Sequence, residues 1–256
     1  MLASAQKTRV AQFGIDAPAV PVALSAGIVL PAGLAALLPP NKRRWRVGGH
    51  VLAGINTLML LNYLHGTLRG KFQIWDAQFQ RLALRGDEVV VDLGCGRGAV
   101  LLAAAARLHG GRAIGVDLWR SADQSGNHPE ITRANAAARG LADRVELHTA
   151  DLRELPLPDQ CADVALTSLA IHNLPDPPSR DAAIREAARV LRPSGRLVIF
   201  DLAHVARYAE ILAGLGLSEI EYHNAGWRYG WLGRVLTATK PASPSAPPAS
   251  PPDQQQ

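Results

Sequence analysis

The sequence predicts an α/β chain: a doubly wound, mostly parallel seven-stranded sheet with an antiparallel terminal hairpin, preceded by two transmembrane helices. Three observations predict it. Two long stretches in the N-terminal third lack charge. From residue 88 on, apolar strand-like blocks alternate with helix-like ones, the pattern of a parallel sheet covered on both faces. The last two strand-like blocks are separated only by a loop and lie close enough to pair antiparallel.

Taken in order, residues 1–16 are expected as an N-terminal tail. Residues 17–41 are 25 consecutive positions without a charge, and after the basic segment 42–46 the stretch 47–68 carries no Lys, Arg, Asp or Glu. At about 1.5 Å per residue, roughly 20 residues cross a ~30 Å hydrocarbon core. Residues 17–68 are therefore expected as a two-helix membrane hairpin. Pro21 and Pro31 invite a kink in the first span, and His50, Asn56 and Asn62 make the second only moderately apolar. Two buried helices of a soluble protein are one alternative. A secretory signal peptide is another, opposed by the length of the first run, by the lack of an A-x-A site after it, and by the second span. Basic residues number six on the two terminal flanks and four in the connecting loop. The first count favours termini in the cytoplasm, the concentration in the loop opposes it, and charge alone leaves the orientation open.

Residues 69–240 read as one soluble domain. A helical pattern over 74–84 stops at Gly86. Strands follow at 88–93, 112–118, 144–150, 162–169 and 196–202, with helices after the first two, at 180–191 and at 205–215. Strands at 218–223 and 232–239 flank a loop, and residues 241–256, rich in Pro, Ser and Ala, form a disordered tail. Hydrophobic residues make up 48% of the chain and charged ones 19%, which excludes a wholly disordered protein. Two cysteines exclude a disulfide scaffold and leave no disulfide partner to expect. The net charge of +5 is local: residues 1–86 hold ten Lys/Arg against two acids, the rest 17 against 20. A nucleic-acid binder spreads its basicity over the binding domain, so that class is disfavoured. No Cys/His grouping has the spacing of a metal site.

The chemistry concentrates in Val89-Val-Val-Asp-Leu-Gly-Cys-Gly-Arg-Gly98. A buried strand runs into a glycine-rich turn that opens a helix, and glycines let backbone approach a ligand closely. Gly94-x-Gly96-x-x-Ala99 also fits a dinucleotide fingerprint. Asp92 at the strand's end argues against that reading: it repels a pyrophosphate and suits an ammonium or sulfonium charge.

With GVDLW ending in Asp117–Trp119, HTADLRELPLPD, DVALTSLAIHNLPD and EAARVLRPSGRLVIFD in order behind it, the chain resembles the class I S-adenosylmethionine-dependent methyltransferases. The likeness is strongest to the small-molecule, type 11-like group whose domain ends in a reversed β-hairpin. It covers roughly residues 72–240 and implies S-adenosylmethionine as cofactor. It implies that Asp92 and the turn of Gly94, Cys95, Gly96 and Gly98 hold the aminoacid end. Asp117 would take the ribose hydroxyls with Leu118 against adenine, and Asp151 the adenine amino group with Leu152 on its edge. Ser168 would lie near the methyl group. The polar loop 119–127 adds Asp123, Gln124 and Asn127 as candidates for the adenosine pocket, or is a solvated loop. Cys95 and Cys161 read as structural thiols.

Methyl transfer is an in-line displacement that asks for alignment and exclusion of water, not for a covalent enzyme intermediate. His172 is the candidate base for an acceptor that must lose a proton. Tyr63 and His65 face the site if the second apolar segment packs over it, and His204, Tyr208, Tyr222, His223, Asn224, Trp227 and Tyr229 cluster where a substrate wall would stand, with ordinary packing or rim positions as the default for each. A domain tied closely to a bilayer anchor favours a lipid or other membrane-partitioned small acceptor. Export would part the domain from its cofactor, so the expected location is the membrane with the domain facing the cytoplasm. A nicotinamide-dependent oxidoreductase and a non-catalytic membrane-tethered binding module are the rival readings.

Overall fold

The computed structural model describes residues 12–226, 228–229 and 233–242, so Trp227 and most of the expected tail 241–256 lie outside the described residues. Helix α1 (Ala19–Leu37) keeps Pro31 within it, and a short 3₁₀ turn (Pro40–Lys42) reverses the chain into α2 (Arg43–His65). Both are long and apolar enough to cross a membrane by length and composition. They pack along each other through small residues: Ala35 and Ala53 are buried, and a side chain at Gly49 would meet the Pro31 carbonyl at 2.7 Å. Their outer surfaces stay apolar and uncovered, with Val22 and Leu30 each 70% exposed and Leu58 68%.

The second span does not end before the domain begins. A π-helical segment (Gly66–Gly70) carries α2 straight into α3 (Lys71–Leu82), which replaces the expected break near 68 and the helix start at 74. The widened turn has a packing reason. The backbone at Arg228 lies directly against Gly70, where a Cβ would collide with its carbonyl oxygen, and the Tyr229 ring lies 3.2 Å from where a Cβ on Gly66 would sit. Helix α3 closes at Ala83, in the left-handed region at φ 44°, rather than at Gly86.

The sheet follows: β1 (Val89–Leu93), α4 (Ala99–Ala105), β2 (Arg112–Asp117), α5 (Pro129–Ala137), β3 (Val145–Thr149), β4 (Ala162–Ser168), α6 (Pro177–Val190), β5 (Leu191–Asp201), α7 (Val205–Gly214), β6 (Ser218–Asn224) and β7 (Arg234–Thr239). Helix α6 starts at Pro177, ahead of the expected 180, because Asp176 accepts from the Ser179 N–H at 2.8 Å and prolines fill the first turn. Strand order is β3-β2-β1-β4-β5-β7-β6, seven strands in all. The first five are parallel, and β7 runs antiparallel between β5 and β6. The order reverses between β1 and β4, which opens a crevice at their carboxyl ends.

Alternation along the strands sorts the core onto the two faces. Val91, Leu93 and Ile199 face Ile184 of α6 and Leu212 of α7, whereas Val90, Leu166 and Phe200 face Trp75 and Phe79 of α3 and Leu101 of α4. Phe13 joins the second face at 2% exposure, its ring 5.7 Å from that of Phe72. Asn135 Nδ2 donates to the Gln12 carbonyl at 2.7 Å. From Gln12 on, the expected N-terminal tail is thus a strap packed on the domain, because Phe13 has a core site to fill.

Candidate active site

The glycine turn sits at the topological switch point, where β1 ends between β2 and β4. Gly94, Gly96 and Gly98 all take positive φ (79°, 50° and 85°), which L side chains rarely adopt. A Cβ on Gly94 would run into Ala170, and one on Gly96 into Gln124. The turn borders an open cleft at the carboxyl ends of the strands.

Nine of the ten expected cofactor residues line this cleft: Asp92, Gly94, Cys95, Gly96, Asp117, Leu118, Asp151, Leu152 and Ser168. Gly98 does not. It opens α4, and a side chain there would press on Thr132 and Leu102. Asp123, Gln124 and Asn127 line the cleft as well.

Asp92 is 1% exposed, and neither carboxylate oxygen has a hydrogen-bond partner. Burial, with the Asp117 carboxylate next, pushes its pKa up to about 8. A buried carboxylate without a partner is costly, and this cost is what keeps the proton on Asp92. Asp117 differs. Its oxygens accept from the Gly96 N–H at 2.8 Å and the Trp119 N–H at 2.6 Å, so it organises the turn as well as facing the cleft. Burial still raises its pKa. Burial likewise lifts Cys95 well above the usual thiol range, keeping it an uncharged thiol. Both cysteines are free. Asp151 is engaged by Arg153, whose guanidinium holds the carboxyl below its ordinary range. Ser168 Oγ accepts from Trp75 Nε1 at 2.8 Å, which fixes the hydroxyl at the cleft wall.

His172 is not a lining residue, although Ala170, Asn173 and Leu174 around it are. Its Nδ1 pairs with Asp201, whose other oxygen accepts from the His172 N–H at 3.1 Å. Burial works against the imidazolium, but the Asp201 hydrogen bond and charge outweigh it, and the His172 pKa ends above its ordinary value. The candidate wall on the last strands is not assembled. Tyr208 is fully buried beside Asp201, while Tyr222, His223 and Asn224 are exposed, and none of the described members lines the cleft. His65 is exposed, and Tyr63 approaches the site only through its hydroxyl, which donates to the Asp16 carbonyl.

Among the lining residues that the sequence reading did not single out are Asp16 and Lys71, which form an ion pair. The strap pairs with the loop after β2, Ala17 N–H donating to the Asp123 carbonyl at 2.8 Å and Ser125 N–H to the Ile15 carbonyl at 3.0 Å. This delivers the Asp16 carboxylate to Lys71 Nζ at 2.7 Å, Thr67 Oγ1 at 2.8 Å and Gln124 Nε2 at 3.2 Å. The only available signal was that Asp16 is one of two acids in the first 86 residues, next to the uncharged run. Among the described residues no group of three His, Cys, Asp or Glu is placed to hold a metal ion.

Residues 91–199 match the family described as a methyltransferase domain. The chain is 32% identical over 129 residues to a sterol 4-C-methyltransferase of Caenorhabditis elegans, covering 50% of this chain and 35% of that one. It is 31% identical over 169 residues to a ubiquinone/menaquinone biosynthesis C-methyltransferase of Roseobacter denitrificans, covering 66% and 63%. The chain thus spans less than two thirds of the length of either relative. A solved S-adenosylmethionine-dependent methyltransferase from Aquifex aeolicus shares the fold at a TM-score of 0.53, with 18% identity over 64% of this chain and 88% of that one. The family match runs from within β1 into β5 and so includes the glycine turn and the switch point of the sheet.

Proposed function

We propose that this chain transfers a methyl group from S-adenosylmethionine to a small acceptor that partitions into a membrane. The observation that carries the reading is Asp92: a buried carboxylate with both oxygens unpartnered, beside a glycine turn in an open cleft. When bound, the cofactor supplies a methyl group on a positively charged sulfur. In this reading Asp92 and the turn Gly94–Gly98 take the aminoacid end, and Asp117 the ribose hydroxyls. Leu118 and Leu152 flank the adenine, Asp151 accepts from its amino group, and Ser168 stands near the methyl group. The protein's part is orientation and exclusion of water.

His172, backed by Asp201, is the proposed proton acceptor for a hydroxyl or phenol that enters from the Asn173 side of the cleft. Its raised pKa means that it becomes a free base only as pH rises past the ordinary histidine range. His172→Ala is expected to lower turnover about 100-fold with a hydroxyl acceptor and to flatten the pH profile. An unchanged profile removes His172 from the chemistry.

The hairpin supports a lipophilic acceptor. Helices α1 and α2 expose large apolar side chains such as Val22, Leu30 and Leu58 outside the core, and α2 runs without a break into the helix that bears Lys71. The sterol and quinone-pathway relatives point the same way. In this reading the hairpin lies in a membrane, with the domain on the cytoplasmic side where the cofactor is made. Calorimetric titration with S-adenosylmethionine and with a nicotinamide dinucleotide tests the cofactor, because selective binding is what separates this reading from an oxidoreductase. A labelled-methyl assay over sterols, quinols and their hydrophilic analogues tests the acceptor, and a preference for the hydrophilic set overturns that part.

A further inference from the structure

The cleft holds one buried cation among its carboxylates. Lys71 is 4% exposed, lies in the first turn of α3, and lines the same cleft as Asp92. Its Nζ donates to both Asp16 oxygens, at 2.8 and 2.7 Å. An ammonium has three N–H donors, and among the described residues the hydrogen bonds of Lys71 go to Asp16. Asp16 is held far more thoroughly: Thr67 and Gln124 donate to the same carboxylate, and the strap around it is pinned by backbone bonds to the loop after β2. Tying down the strap therefore does not require a buried lysine.

The cleft thus has two unfinished poles. Asp92 is a buried carboxyl group whose two oxygens have no hydrogen-bond partner, and a bound cation favours its ionised form. Lys71 is paired with Asp16 and lies 5.6 Å from the centre of the Phe72 ring. With its hydrogen bonds among the described residues going to one carboxylate, its ammonium can accept a second anion from the cleft. Both residues line one cleft, and a ligand that carries an ammonium and a carboxylate on one carbon offers each its opposite charge where solvent screens little.

We propose that Lys71 determines specificity for the cofactor by receiving the carboxylate of its aminoacid end, while Asp92 receives the ammonium. The assignment rests on the cofactor reading above. Asp16 acts through Lys71 as a positioning residue, and the strap that carries it becomes part of the cofactor site. Decarboxylated S-adenosylmethionine, which keeps the sulfonium and the ammonium, should then bind poorly to the parent protein.

The test is a calorimetric titration of the full detergent-solubilised chain with S-adenosylmethionine and with its decarboxylated form. The parent is expected to prefer the carboxylate-bearing ligand by about 10- to 100-fold, the range of one charge-assisted hydrogen bond. Lys71→Met should bring the ratio close to one by weakening only the complete cofactor, and Lys71→Arg should keep most of it. If Lys71→Met leaves Asp16 unpaired and fails to fold, the double variant Lys71→Met/Asp16→Asn removes both charges, and the ratio is read there. A ratio that stays at the parent value, or equal weakening of both ligands, overturns the proposal and leaves Lys71 a latch for the strap. Failure of the parent to bind either ligand overturns the cofactor reading instead.

Discussion

The hairpin and the α/β domain are both rich in apolar side chains, and they dispose of them in opposite ways. In the domain, Leu197, Ile199 and Leu236 are wholly buried between sheet and helices. In the hairpin, Leu30 and Leu58 stand about 70% exposed on helices that pack along each other. The difference follows from backbone chemistry. A helix satisfies its own N–H and C=O groups, so a pair of them persists without a surrounding core if the medium is apolar. Strands satisfy theirs only from neighbours, so their side chains are gathered into a sheet and then covered. Burial there is a consequence of pairing. The two regions meet at a site that belongs to both, since Asp16 comes from one side of the hairpin, Lys71 from the other, and Asp92 from the sheet.

The comparison can be broken most forcefully at Asp92, because a buried charge has more to lose than any apolar contact. Asp92→Asn should lower affinity for S-adenosylmethionine by about 100-fold or more, as removing one partner of a buried charge pair costs roughly 3–5 kcal/mol. The same change should improve stability at higher pH. The folded state holds a proton on Asp92 up to about pH 8, whereas an unfolded aspartate releases it near pH 4, so parental stability falls as pH rises through that window. Thermal melts at pH 5 and pH 8 should show a smaller decline for the variant. Equal slopes would mean that Asp92 is not the strained group described here.

Burial itself is next. Leu197→Ala should cost about 2–5 kcal/mol of domain stability, whereas Leu30→Ala should stay within ~0.5 kcal/mol. Melting both variants in the same detergent measures it, and comparable losses would erase the distinction between the regions. Leu58→Arg places a charge mid-helix on the outer face, at a cost of about 2.5–3.5 kcal/mol for insertion into a bilayer. The variant should shift toward the soluble fraction on alkaline extraction, and unchanged partition would count against a membrane hairpin. The smallest effect is expected at the junction. Gly70→Ala pushes a methyl group into the Arg228 carbonyl and should cost about 1–3 kcal/mol, read as a lower melting temperature with membrane association intact.

Much of the site is local and so could be read from the chain. The turn from Asp92 to Gly98 is one continuous segment whose glycines announce positive φ. Asp117 marks the end of the next strand, and loop 119–127 is too polar to be core, so Asp123, Gln124 and Asn127 were visible as candidates. His172 was found by position along the chain. Its turn toward Asp201 was hidden, because 29 residues separate the partners. The Asp16–Lys71 pair spans 55 residues, with the whole apolar hairpin between its members, and no local pattern announces it. The early start of α6 is a different kind of miss, since Asp176 followed by two prolines is an N-terminal signal that was present to be read.

The sequence by itself determined the element types, the parallel order with its reversed ending, the long uncharged helices and the glycine turn, because periodicity, charge spacing and backbone freedom act over a few residues. Only the tertiary structure decided what closes the cleft. Phe13 found a core site, and that drew Asp16 over the glycine turn to meet Lys71. Gly66 and Gly70 let the β6–β7 loop press on the helix that joins hairpin to domain. Such contacts depend on which distant surfaces fit each other once packed, and that fit is a property of the folded chain as a whole.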